Sequence, residues 1–221
     1  MPIYMDVHIV PGVTAKDVAE AHRMDILVQD DLDCKCMTYW IDEGRENVFC
    51  LIEAPNADAV TRMHRRSHGL IPHKIIEVKS SLVESFLGRI YDPSNAETTE
   101  DGLKVFSDPS FRVLVIAKTV DPVLLSFRLG PEKANHLLKG IGEALRKNLS
   151  EYNGHEVDHS GTGFIIAFTS ASKAVAYALS IQKTLDDSNI DPSILRMAIN
   201  AGEPISSTEK LFGDTIQLAE N

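Results

Sequence analysis

Residues 3–29, IYMDVHIVPGVTAKDVAEAHRMDILVQ, decide the fold of the first part of the chain. Ile3, Met5, Val7 and Ile9 alternate with Tyr4, Asp6 and His8, the period of a strand. Pro11 and Gly12 stop it. Thr14, with Asp17 three residues later, forms a capping box that opens a helix running to about Gln29. Working outward, KCMTYWID (35–42) and NVFCLIEA (47–54) read as a hairpin closed by EGRE, with Gly44 in the loop. A second helix opens after Pro55 and ends at Gly69, and HKIIEVK (73–79) is a last strand. The order is βαββαβ, the split βαβ arrangement of ferredoxin-like domains.

Composition bounds the rest. The 221 residues are 43% hydrophobic and 24% charged, enough for two cores and far from disorder. A net charge of −10, with HRRSHG (64–69) the only local basic group, argues against a nucleic-acid-binding face. No apolar run approaches a membrane span, and the N-terminus has no signal pattern. Three cysteines form no disulfide framework, so a reducing cytoplasm is expected.

SLVESFLGRI (81–90) has the pattern of a short amphipathic helix, and DPSNAETTEDG (92–102) is acidic and turn-rich. The expected division is therefore a domain over 1–80, a linker over 81–110, and a second α/β domain over 111–221. In the second domain, strand FRVLVIAKTV (111–120) precedes a helix from about Pro131 to Tyr152. A hairpin around HSGTGF (159–164), a helix over 170–187 and a strand ILRMAINAGEP (194–204) follow. The fold class is α+β throughout.

Histidines carry the chemistry of the first domain. His64 and His68 lie at i and i+4 on one helix face, a spacing that can chelate one transition-metal ion. Position 65 is Arg where a zinc-protease helix has Glu, which argues against that hydrolytic mechanism. His22 and Asp25 lie at i and i+3 on the other helix, and His8 lies on the first strand. Both helices of a split βαβ unit cover one sheet face, so these ligands can converge at an edge or across a dimer interface. A hydrogen-bonded seam of Tyr4, Asp6 and His8 at a subunit contact is the alternative. Such nitrogen and oxygen donors suit nickel, zinc, cobalt or copper, and affinity order alone does not select among them. Cys34 and Cys36 share a strand face that suits a soft metal or simple packing, and Cys50 reads as a buried strand residue.

MDVHIVPGVTAKDVAEAHRMD (5–25), YWIDEGRENVFCLIEAP (39–55), MHRRSHGL (63–70) and IIEV (75–78) together resemble a small bacterial family of ferredoxin-like proteins. Its members bind nickel and form dimers. The resemblance implies that His8, His22, His64 and His68, with Asp25, line a metal site, and that the chain forms a homodimer.

Residues 128–168, KAVAYALSIQKTL (173–185), LRMAINAGEPI (195–205) and LFGDTIQLAEN (211–221) follow in the order seen in class III nucleotidyl cyclase catalytic domains, which this half resembles. That family holds two divalent ions on two aspartates. The matching positions here are Lys118 and Thr162, and neither can replace a carboxylate as an Mg²⁺ ligand. The family's transition-state asparagine and arginine fall on Gln217 and Asn221, and its base-recognition lysine on Asp158. The match stops at Asn221, where such domains continue for several more elements. The resemblance thus implies a pseudoenzyme: a domain for regulation or assembly. The sequence expects a metal-binding protein of regulatory or sensory role. Two alternatives stay open. One is a nucleotide-binding sensor with Lys118 and Thr162 in the degenerate pocket. The other is a small enzyme in the ferredoxin-like dimer cleft, with His8 or His22 as general base.

Overall fold

A computed structural model describes residues 1–160 and 163–220. Two compact units emerge, the first comprising Met1–Phe111 with Glu203–Gly213, the second Arg112–Gly202 with the residues from Asp214 onward. Both mix helices with antiparallel sheets, so the chain is α+β.

The first unit contains β1 (Ile3–Ile9), α1 (Ala15–Val28), β2 (Lys35–Asp42), β3 (Asn47–Glu53), α2 (Ala57–Ser67) and β4 (Lys74–Val78). The sheet order is β2-β3-β1-β4, which places β1 and β3 centrally, as the split βαβ reading requires. The capping box forms as expected: Asp17 N donates to Thr14 Oγ1 at 3.3 Å, and Thr14 N donates to Asp17 Oδ2 at 3.0 Å. On α2, Asn56 Oδ1 accepts from Ala59 N at 2.9 Å, and Arg65 and Arg66 in the last turn complement the helix dipole. Gly69, at φ +83°, ends this helix, its N–H donating to the His64 carbonyl at 2.8 Å.

Residues 81–110, expected as a linker, carry structure that the first unit uses. α3 (Ser80–Leu87) buries Val83, Phe86 and Leu87, and a short hairpin joins β5 (Glu97–Thr98) to β6 (Lys104–Val105). Leu103 and Phe106 pack with Val13, Val18, Tyr39, Ile41 and Val48, and the Phe106 ring stacks on Tyr39 at 4.1 Å. The acidic, turn-rich composition of 92–102 suggested a tether. The two apolar residues after it override that signal, because burying each is worth about 2 kcal/mol. Arg89 adds a polar clamp, bonding the Tyr39 carbonyl at 2.6 Å and Asp108 at 3.1 Å while stacking over Trp40.

Segment Glu203–Gly213 is also part of this unit. The Lys74 ammonium donates to the carbonyls of Ser206, Ser207 and Thr208 at 2.8, 2.9 and 2.9 Å. Asn47 Nδ2 donates to Glu203 Oε1 at 2.7 Å, and the rings of Phe86 and Phe212 lie 4.7 Å apart.

The second unit contains β7 (Arg112–Thr119), α4 (Pro122–Leu129), α5 (Pro131–Lys147), β8 (His155–Ser160), β9 (Gly163–Phe168), α6 (Ala171–Asp187), β10 (Leu195–Gly202) and α7 (Gly213–Glu220). Its sheet order is β10-β7-β9-β8. β7, buried from Arg112 to Ala117, is central, and Tyr177 on α6 donates its hydroxyl to the Leu145 carbonyl at 2.6 Å. The helix expected over 131–152 ends at Lys147 and gives way to a 3₁₀ turn over Leu149–Tyr152, with Asn153 left-handed behind it. α4, which the sequence reading did not foresee, is capped by Asp121 with Pro122 at its start. Among the described residues no helix is long and apolar enough to cross a membrane.

Candidate metal centre

Asp6 and His8 lie two residues apart on β1, so they share one sheet face, and the cross-strand partner of Asp6 is Cys50 on β3. His64 and His68 share a face of α2, and Asp25 lies near the end of α1. These elements bring six side chains to one place. His64 Nε2 lies 2.8 Å from Asp6 Oδ2, and its Nδ1 lies 3.2 Å from Asp25 Oδ2 and 3.1 Å from His68 Nε2. His68 Nε2 lies 3.3 Å from Asp25 Oδ1, and the Ser67 hydroxyl donates to the same oxygen. The His8 ring meets the His64 ring edge-on at 4.9 Å.

Two carboxylates and an imidazole are fully enclosed here: Asp6 and His64 are 0% exposed and Asp25 3%. Burial alone would raise both aspartates, yet His64 beside each, with His8 or His68, holds their carboxyls well below the usual range. Burial alone would lower His64. Instead Asp6 and Asp25 on its two sides push it up to about 10. An imidazolium between two carboxylates donates from both ring nitrogens and keeps no lone pair free. Cys50 is the reverse case: burial, reinforced by Asp6 and Asp25, pushes its thiol up and keeps it protonated.

The residues form two ligand sets that share His64: Asp6, His8, Cys50 and His64, and Asp25, His64 and His68. In each set one donor atom per residue lies within 4.8 Å of the others. Asp6 Oδ1 bears on whether they fit a cation. It is buried, 3.4 Å from His8 Nε2, and has no hydrogen-bond partner among the described residues. Two enclosed carboxylates with one orphaned oxygen call for positive charge, and the mixed oxygen, nitrogen and sulfur donors suit a divalent transition metal.

Of the five residues singled out from sequence, His8, Asp25, His64 and His68 are brought together. His22 belongs to neither ligand set: its Nε2 lies 3.6 Å from Asp92 Oδ2, and its ring meets Tyr39 edge-on. It lines a cavity of about 80 Å³ beside the cluster. Asp6 and Cys50 were not chosen from sequence as ligands. The signal for both was the strand register, which sets Asp6 two residues before His8 and opposite Cys50. Cys34 and Cys36 pack instead, Cys36 Sγ lying 3.6 Å from Met63 Sδ.

In the second unit Lys118 lies opposite Arg196 across the β7–β10 ladder and pairs with Glu220 at 3.0 Å. It lines a pocket of about 510 Å³ together with Arg196 and Ser193. Thr162 lies outside the described residues.

The model of the family described as nickel responsive protein SCO4226-like matches residues 4–78. SCO4226 from Streptomyces coelicolor A3(2) is 35% identical over 34% of this chain and 94% of its own, with a TM-score of 0.33. An adenylate/guanylate cyclase/hydrolase from Silicibacter pomeroyi is 21% identical, over 49% of this chain and 66% of its own, with a TM-score of 0.40. The adenylyl cyclase CyaB from P. aeruginosa is 18% identical, over 50% and 69%, also with a TM-score of 0.40. No curated protein matches the chain. The matched residues 4–78 run from Tyr4 in β1 to Val78 at the end of β4, and through them the chain belongs to the nickel-responsive SCO4226-like family.

Proposed function

We propose that this chain is a metal-responsive regulatory protein that binds nickel through Asp6, His8, Asp25, His64 and His68. The observation that carries the reading is the convergence of two buried carboxylates, the buried His8 and His64, and the half-buried His68 beside one sheet face. Metal binding there replaces the His64 proton as the positive charge between Asp6 and Asp25, so affinity rises with pH over the neutral range. The family supports nickel over zinc, cobalt or copper, which the donor set alone would also take.

In this reading the first unit, Met1–Phe111 with Glu203–Gly213, is the metal-binding domain, and the second, Arg112–Gly202 with the residues from Asp214 onward, is a regulatory domain without cyclase activity. Lys118, where cyclases hold a metal aspartate, supports that assignment. The protein is a cytoplasmic homodimer whose domain packing responds to metal. Calorimetric titration of chelator-stripped protein with Ni²⁺, Zn²⁺, Co²⁺ and Cu²⁺, against a His64→Ala/His68→Ala variant, tests the site. Saturable binding lost in the variant supports it, and binding indifferent to the substitutions refutes it. Sedimentation and limited proteolysis with and without nickel test the dimer and the response.

A second reading draws on the facing pair Lys118 and Arg196 in the second pocket. Glu220, 3.0 Å from Lys118, answers one of these two facing cations, and an anion in the pocket would answer the other. Thermal shift with ATP, GTP and cyclic nucleotides, with and without Mg²⁺, tests it. No shift with any of them refutes it.

A further inference from the structure

The cavity beside the cluster is a feature that metal storage alone does not use. It is half open to solvent and offers about 80 Å³. That is room for on the order of five waters, or one molecule of similar size, and far too little for a nucleotide. His8, Asp25, Cys50 and His68 belong both to the ligand sets and to the cavity wall, whereas Asp6 and His64 line no part of it. A cation held by the cluster therefore has protein behind it and the cavity in front.

The remaining wall decides the chemistry of an occupant. Val13, Val18, Ala21 and Val48 line it, and aliphatic walls give water no hydrogen bonds. Two further polar groups reach it. Asp17 spends its carboxylate on the Thr14 cap. His22 has its Nε2 turned to Asp92, a residue beyond the family-matched segment. Charge narrows the choice again. A divalent cation offsets Asp6 and Asp25, so an anionic occupant would add an uncompensated, partly buried negative charge, whereas a neutral one adds none.

We propose that this cavity binds a small uncharged molecule, with an apolar body and one nitrogen or oxygen donor, against the side of the cluster formed by His8, Asp25, Cys50 and His68. The proposal rests on the metal reading above. It makes the first unit a sensor of a metal–ligand pair, with the cavity wall selecting the ligand by size and charge.

The test uses the full chain loaded with Co²⁺, whose visible spectrum reports coordination. Imidazole is the neutral probe and azide the anionic one. The expected result is a saturable spectral change with imidazole at affinity about tenfold or more above that for azide, a difference set by the partly buried charge. Metal content after dialysis must be unchanged, so that the probe has not stripped the ion. Ala21→Phe fills the cavity, and Leu70→Trp, at a 47% exposed wall position, narrows it should the first variant fold poorly. Either is expected to keep cobalt and lose the imidazole response. An imidazole response unchanged in both variants, or equal responses to both probes, overturns the proposal while leaving the metal reading intact. Failure to bind cobalt at all overturns both.

Discussion

His64 Nε2 and Asp6 Oδ2 meet at 2.8 Å with no solvent on either side, joining α2 to the central strand of the first sheet. A buried pair is costly to assemble and costlier to break, because removing one member strands the other's charge. Asp6→Asn should therefore destabilise the metal-free protein by about 3 kcal/mol and weaken nickel binding as well. Urea unfolding and calorimetry on the same variant check both parts. A variant as stable as the parent, with unchanged nickel affinity, would contradict this role.

The same pair sets a pH profile. His64 has its folded value raised from 6.5 to about 10, so its stabilisation is fully present below about pH 6.5 and is lost as pH rises toward 10. Asp6 and Asp25 are depressed from 3.8, so their contribution is present above that value and is lost as pH falls toward their folded values. Metal-free protein should thus be most stable between about pH 4 and 6.5 and weaken through pH 8 to 10. Denaturant midpoints across this range test it. A profile flat from pH 6.5 to 10 would contradict the raised histidine.

Phe106 is the residue that makes 81–110 structural. Phe106→Ala should cost about 3–5 kcal/mol of first-unit stability, the usual result of emptying a core site. Chemical unfolding followed through Trp40 fluorescence measures it. A change below about 0.5 kcal/mol, typical of a surface position, would return the segment to a tether.

Lys74 holds segment 203–213 by three carbonyls. Lys74→Met should speed tryptic cleavage after Lys210 while changing nickel affinity by less than about twofold, since charged hydrogen bonds are lost without touching the donor set. Unchanged cleavage would mean that Phe212 and Asn47 hold the segment unaided.

Much of the fold is legible in the sequence. The Thr14–Asp17 box, Gly69 and the alternation over 3–9 are local signals, and each governs the few residues around it. Phe106 reaching Tyr39 is not local: a turn-rich sequence hides which of its apolar residues will find a partner far away in the chain. The site divided in the same way. Helical spacing pointed to His64 with His68, whereas Asp6 and Cys50 needed the register between β1 and β3. His22 and Asp25 look equivalent on α1, yet the turn of the helix gives Asp25 to the cluster and His22 to Asp92.

Nickel-edge X-ray absorption on the nickel-loaded 221-residue chain tests the central claim most directly. The account predicts the outer-shell scattering of coordinated imidazole rings, lost in the His64→Ala/His68→Ala variant. A shell of water and carboxylate oxygens alone, identical in parent and variant, would contradict it.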